Sequence, residues 1–194
     1  MELIFATNNP HKAREIQVLL PEEIKVLSLK DINFQGDIPE NQNTLEGNAH
    51  EKASFIYGRY GKNCFADDTG LEIDALNGEP GVYSARYAGA DKNPQANMDK
   101  VLRKLEGKSD RRARFRCVIS LITGGEEKRF DGAVNGQILH EKRGSEGFGY
   151  DPIFLPDGYD QTFAEMPMEL KNKISHRSRA INKLTDYLSR HLNL

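Results

Sequence analysis

Three features of this 194-residue chain predict an α/β fold. An apolar run, Leu3 to Ala6, opens the chain and passes through a polar loop into an amphipathic helical stripe. A second apolar run, Cys64 to Ala66, follows a long helical stripe and ends in Asp67-Asp68-Thr69-Gly70-Leu71-Glu72. Further on, two strand-like segments flank Gly124-Gly125, which is a hairpin signature.

In chain order, Leu3 to Ala6 reads as the first strand. Asn9 suits an N-cap and Pro10 the first helical position, so a helix starts there with Ile16, Leu19 and Leu20 on one face. Ile24 to Leu27 is a short second strand, and residues 31–43 are a loop carrying Asp37 and Glu40. Thr44 caps a long helix whose stripe is Leu45, Ala49, Ala53, Ile56 and Tyr60. Asn48 and Lys52 share another face of it, one turn apart, and residue type alone assigns both to solvent. Cys64 to Ala66 is the end of a buried strand, and Gly78-Glu79-Pro80-Gly81 a tight turn. Tyr83 to Tyr87 reads as a short strand or an irregular segment. A helix over 94–106 has Ala96, Val101, Leu102 and Leu105 as apolar positions. The hairpin pairs Ala113–Thr123 with Lys128–Leu139, and Arg111, Arg112, Arg114 and Arg116 read as a solvated strand face. A last helix, capped by Ser175, carries Ile181, Leu184, Leu188 and Leu192.

Composition narrows the function classes. The chain is 38% hydrophobic and 29% charged, ordinary for a soluble globular protein. Its length gives one compact domain, or one domain with two lobes, and no linker divides it, so 1–194 reads as a single domain. A net charge of −2 leaves no positive field for nucleic acid or an anionic membrane surface. No apolar run reaches membrane-spanning length, and Met1 leads directly into the first strand, so a cytoplasmic protein without a leader is expected. Cys64 and Cys117 lie in apolar runs and are expected as buried free thiols. No zinc-ligand spacing, P-loop, dinucleotide fingerprint or nucleophile elbow is present.

The remaining chemistry is polar and anion-directed. Side chains alternate along a strand, so Asp67 and Asp68 point to opposite faces and one is free to face a ligand; a charged turn is the competing reading. Lys12 falls in the first turn of its helix, where a cation opposes the helix dipole unless an anion is near, so Thr7 to Lys12 is a candidate phosphate cradle. His176 and Arg177 form a second cationic helix start, with salt bridging to nearby acids as the alternative. Gly144 to Pro152 is a glycine-rich loop holding Phe148, Tyr150 and Asp151, whose rings either stack on a base or pack on their own domain. Acids for a hard metal, cationic helix starts for phosphates and an aromatic loop for a base together point to a nucleotide-hydrolysing enzyme using Mg²⁺.

The ordered motifs are more specific. Thr7-Asn8-Asn9 with Lys12 and Glu15, Glu40 with Thr44 and Asn48-Ala49, and Ala66-Asp67-Asp68-Thr69-Gly70-Leu71 come first. Pro80-Gly81 with Ser84-Ala85-Arg86, Phe148-Gly149-Tyr150-Asp151-Pro152, and Lys171 with Ser175-His176-Arg177 follow. From about residue 4 to 181 this series resembles the inosine/xanthosine triphosphate pyrophosphatase family. Asn9 and Gln42 stand where that family favours glycine. The resemblance implies an elongated mixed β-sheet flanked by helices, two lobes with the active-site cleft between them, and a homodimer. It implies Mg²⁺-dependent hydrolysis of ITP, dITP and XTP to the monophosphate and pyrophosphate. It implies Asp68 as proton acceptor and metal ligand, Glu40 as a second metal-binding acid, and Thr7, Asn8, Asn9, Pro10, His11, Lys12, Lys52 and Thr69 as triphosphate contacts. Phe148, Gly149, Tyr150, Asp151, Lys171, His176 and Arg177 are the implied base contacts. The rival readings are a pyrophosphatase for pyrimidine or modified nucleotides, and a nucleotide-binding module without turnover.

Overall fold

The computed structural model describes residues 1–191. Six strands, β1 (Glu2–Phe5), β2 (Lys25–Leu27), β3 (Cys64–Ile73), β4 (Arg112–Thr123), β5 (Glu126–Ile138) and β6 (Phe154–Pro156), form one mixed sheet in the order β2-β1-β3-β4-β5-β6. β1 runs parallel to both β2 and β3, with Ile4 opposite Leu27 and Cys64, and β5 runs antiparallel to β6. The helices are α1 (Pro10–Leu19), α2 (Leu45–Tyr60), α3 (Pro94–Lys104), α4 (Met168–Ile174) and α5 (His176–His191). Contacts group the chain into two compact units. Unit 1 holds Met1–Asp68, Cys117–Gly132 and Arg177–Leu194; unit 2 holds Thr69–Arg116 and Ala133–His176.

The core of unit 1 follows from strand alternation. Leu3 and Phe5 on β1, with Phe65 on β3, pack with Ile16 of α1 and Ile181, Leu184 and Leu188 of α5. Phe5 and Phe65, opposite in register, stack at 4.6 Å. The intervening residues Ile4, Ala6, Cys64 and Ala66 pack with Ala53 and Ile56 of α2 and with Leu29, Phe34 and Ile38 of the loop before it. One sheet face therefore belongs to α1 and α5, the other to α2. Cys64 and Cys117 are buried free thiols, and burial pushes the Cys64 thiol up to about 12.

Unit 2 has its own core, in which Leu71 and Ile73 meet Met98 and Val101 of α3, Leu105 at its C-cap, and Phe154 and Phe163. Gly124 and Gly125 both have positive φ, as the two-residue hairpin turn requires.

Several expectations are corrected. β3 does not end at Ala66 but runs on to Ile73, so Asp67 to Gly70 lie within a strand rather than in a turn. Tyr83 to Arg86 belong to a 3₁₀ turn, Gly81–Arg86, instead of a strand. In α3 the buried faces are Asn97, Met98 and Val101, and Ala96 is only half-buried. The solvated arginine face holds at Arg112 and Arg114, which are exposed, and carries pairing as well: Arg114 and Arg116 bond Glu72, while Arg111 donates to the carbonyls of Leu105, Ile138 and Leu139. Helix α4 and strand β6 have no counterpart in the sequence reading, and Leu192 lies outside the described residues. Among the described residues no helix is long and apolar enough to cross a membrane.

Candidate active site

Unit 1 gathers the candidate phosphate and metal residues around the middle of β3. Alternation sends Asp67 to the α1/α5 face and Asp68 to the α2 face. Each meets cations there.

On the α2 face, Asn48 Nδ2 donates to Asp68 Oδ2 at 2.9 Å, and Lys52 Nζ lies 3.6 Å from Asp68 Oδ1 and 2.5 Å from Glu40 Oε1. Asn48 and Lys52, assigned by residue type to solvent, are buried. Burial pushes the Asp68 carboxyl above its ordinary range, against the pull of Lys52, Lys12 and the Asn48 hydrogen bond. Burial alone would lower the Lys52 ammonium, but Asp68 and Glu40 hold it above its usual value. The loop bearing Glu40 is tied to α2: the Gln42 amide donates to Asn48 Oδ1 and the Asn41 amide to Glu51. Gly47 makes room for this loop, since a Cβ there would come within 2.7 Å of Gln42 Cβ.

On the other face, Lys12 Nζ pairs with Asp67 Oδ2 at 2.9 Å, and Arg177 pairs with Glu15 and lies 3.5 Å from Asp67 Oδ2. Burial alone would raise the Asp67 carboxyl, but Lys12, Arg177 and Lys52 hold it well below the carboxylate range. The strand tolerates two adjacent aspartates because both are matched by buried cations. The first loop is pre-shaped: Thr7 Oγ1 accepts from the Asn9 amide, and Asn8 Nδ2 donates to the Gly36 carbonyl. Asn9 caps α1 as expected, its Oδ1 accepting from the amides of His11 and Lys12. Those two amides are therefore already bonded, and the charge this loop can offer a phosphate is the half-buried Lys12 ammonium. Pro10 and His11 are exposed at the helix start.

Unit 2 gathers the base candidates. Asp151 accepts from the Phe148 amide at 2.8 Å and pairs with Lys171 at 2.8 Å, both side chains being buried. The Lys171 ammonium lies 5.1 Å from the centroid of the half-buried Phe148 ring. Gly149 has φ +66 and Gly147 φ +75, and a Cβ on Gly147 would meet Asp151 Oδ2 at 2.2 Å. The two rings of the loop differ: Tyr150 is buried and donates to the Ser84 carbonyl at 2.7 Å, packing on its own unit. His176 stacks on Phe115 at 4.8 Å. Thr69 is half-buried in β3, also in unit 2. Arg177, grouped with the base residues in the sequence reading, belongs to unit 1 and is held there by acids.

Glu15 and Asp67, present in the motifs without a role of their own, are the partners of Lys12 and Arg177. The available signal was strand alternation at Asp67 and the one-turn spacing of Lys12 and Glu15. Among the described residues no three His, Cys, Asp or Glu side chains converge as a metal cluster. Glu40 and Asp68 instead converge on a single cation, Lys52. A two-carboxylate set fits a hard divalent ion that takes its other ligands from water and phosphate oxygens.

The model of the Ham1 family matches residues 3–187. A Flavobacterium johnsoniae protein named dITP/XTP pyrophosphatase is 54% identical over 189 residues, covering 97% of this chain and 98% of its own. A Bacillus subtilis protein of the same name is 49% identical over 191 residues, covering 96% of both chains. The solved Staphylococcus aureus Ham1 protein superposes with a TM-score of 0.90 at 44% identity, over 97% of this chain and 98% of that one. With β3, its acids and the paired lysines falling inside the matched span, the chain belongs to the Ham1 family.

Proposed function

We propose that this protein is a nucleoside triphosphate pyrophosphatase that hydrolyses non-canonical purine nucleotides, ITP, dITP and XTP, to the monophosphate and pyrophosphate. The observation that carries the reading is Asp68, a buried carboxyl shifted upward, oriented by Asn48 and set beside Lys52 and Glu40. A general base works best when its pKa is raised toward the operating pH. The relatives named dITP/XTP pyrophosphatase support the same chemistry.

In this reading Asp68 takes a proton from a water whose oxygen attacks the α-phosphorus. The bond from that phosphorus to the bridging oxygen breaks, and pyrophosphate leaves with the bonding pair. Glu40 and Asp68 would hold a divalent ion, Mg²⁺, which when bound offsets charge on the phosphate oxygens. Lys12 and Lys52 supply fixed positive charge to the same oxygens, with Thr7 to His11 and Thr69 completing the phosphate set. Phe148 to Asp151, Lys171, His176 and Arg177 read the base. Donors suit the 6-oxo group of hypoxanthine and xanthine, and adenine would leave them unpaired, which discriminates strongly in a desolvated site. Residues 1–194 act as one catalytic domain, as a homodimer in the cytoplasm.

The test is a panel of ITP, XTP, dITP, GTP, ATP and dTTP with Mg²⁺, the products being resolved. Monophosphate plus pyrophosphate from ITP, dITP and XTP, with little from ATP or GTP, is expected. Diphosphate plus orthophosphate would mean attack at another phosphorus, and turnover of dTTP alone would move the specificity to pyrimidines. No turnover of any member would leave a binding module. Asp68→Asn is expected to cut turnover by about 10²–10⁴-fold with an unchanged circular dichroism spectrum; near-normal turnover would remove Asp68 from the role. Light scattering checks the dimer.

A further inference from the structure

The reading above leaves Asp67 without a task, yet no carboxylate in unit 1 is more deeply buried, at 1% exposure. Three groups approach a single oxygen of it. Lys12 Nζ is 2.9 Å from Oδ2, Arg177 Nε is 3.5 Å from the same atom, and Cys117 Sγ is 3.8 Å away. An N–H···O bond spans about 2.7–3.2 Å, so Lys12 holds that oxygen and Arg177 Nε stands just outside bonding length. Glu15 anchors the other side of Arg177. The two cations come from different elements, α1 and α5, and both face this carboxylate.

We propose that Asp67 is a positioning residue shared by Lys12 and Arg177, so that Arg177 sets how readily Lys12 is released to a phosphate. The inference rests on the reading that Lys12 serves the phosphates and Arg177 the base. A phosphate oxygen that draws Lys12 away strips Asp67 of its shortest charged contact in a buried site, where an uncompensated carboxylate is costly. Arg177 is the cation placed to take over Oδ2. With Arg177 present the release of Lys12 is offset; without it, Asp67 retains Lys12. The converse also holds. With Lys12 gone, Asp67 draws Arg177 onto itself and away from a base. Phosphate affinity and base choice are then joined through one side chain that touches neither.

The experiment is calorimetric titration of Mg²⁺ plus pyrophosphate, a ligand with no base, into wild type, Arg177→Gln, Asp67→Asn and the double variant, with thermal unfolding to confirm folding. Arg177→Gln is expected to weaken pyrophosphate binding about fivefold or more in the wild-type background, the lower end of ordinary coupling. It is expected to change binding by less than about twofold in the Asp67→Asn background, because the shared carboxylate is gone. An equal loss in both backgrounds would show a simple long-range charge effect and overturn the proposal, as would no pyrophosphate binding by the wild type. Should Asp67→Asn fail to fold, Lys12→Met gives a second reading. Its dITP-to-dATP ratio of kcat/KM is expected to fall about fivefold or more, whereas an equal decline for both nucleotides would overturn the coupling. Wild type that binds pyrophosphate but does not release it from dITP would instead defeat the proposed reaction and leave the coupling measurable.

Discussion

Lys52 is buried between Glu40 and Asp68, so Lys52→Met keeps most of the volume while leaving two carboxylates facing each other. Thermal unfolding in EDTA is expected to show a loss on the order of 1–3 kcal/mol, the range for orphaning a buried partner. Added Mg²⁺ is expected to recover part of that loss by standing in for the ammonium. Equal losses with and without the metal would separate Lys52 from any cation site. At this scale the sequence was half readable. It placed Asn48 and Lys52 on one helical face and sent Asp67 and Asp68 to opposite sides, because both follow from periodicity. It assigned Lys52 to solvent because a lysine is seldom buried, and the acids that make its burial tolerable lie elsewhere in the chain. For Arg177 the alternative of salt bridging to acids holds, but its partners, Glu15 and Asp67, are distant in sequence and no local pattern names them.

Two elements owe their placement to single residues. Gly147→Ala forces a Cβ into Asp151 in a backbone region that other residues avoid, so the loop must shift and loosen the Asp151–Lys171 pair. KM for dITP is expected to rise about tenfold or more with fold and melting temperature largely kept; an unchanged KM would exclude the loop from substrate contact. Glu127, beside the hairpin turn, fastens α2 to the sheet. It accepts from Arg129 and Ser120 and pairs with His50. The Arg129 hydrogen bonds, aided by Ser120 and His50 against a burial cost, lower its carboxyl from 4.5 to about 2. A depressed carboxyl contributes stability that is complete above the unfolded value and lost as pH falls through the folded one. Wild type should therefore lose stability between about pH 4.5 and 2, and acid titration of Glu127→Gln should lack that component. Coincident acid profiles would contradict it. Helices α1, α2, α3 and α5 were legible from caps and stripes. α4 was not, because its seven residues bring just two partly buried apolar side chains, Leu170 and Ile174; nor was β6, a three-residue strand set by its pairing with β5. The extension of β3 through two aspartates ran against strand propensity and depended on charges supplied by other elements.

Across the whole molecule, neither unit is a continuous stretch of chain. Leu3 and Phe5 at the beginning pack with Ile181, Leu184 and Leu188 near the end. A chain stopped at residue 176 is expected to lose that apolar cover and to show an unfolded circular dichroism spectrum; a cooperative melt of the truncated chain would contradict it. The α/β arrangement was visible in the order of strands and helices, but this closure of the last helix onto the first strand was not, since no local pattern encodes a contact between chain ends.

The unit borders fall between chain neighbours, Asp68 from Thr69 and His176 from Arg177. That threading bears on inheritance. A single genetic crossover between the codons for residues 69 and 176 gives a unit 1 assembled from two parents, because its segments lie on both sides of any such point. No single cut in a gene of this layout trades either unit whole for another. Exchanging unit 2 whole takes a cut at each end of both its segments.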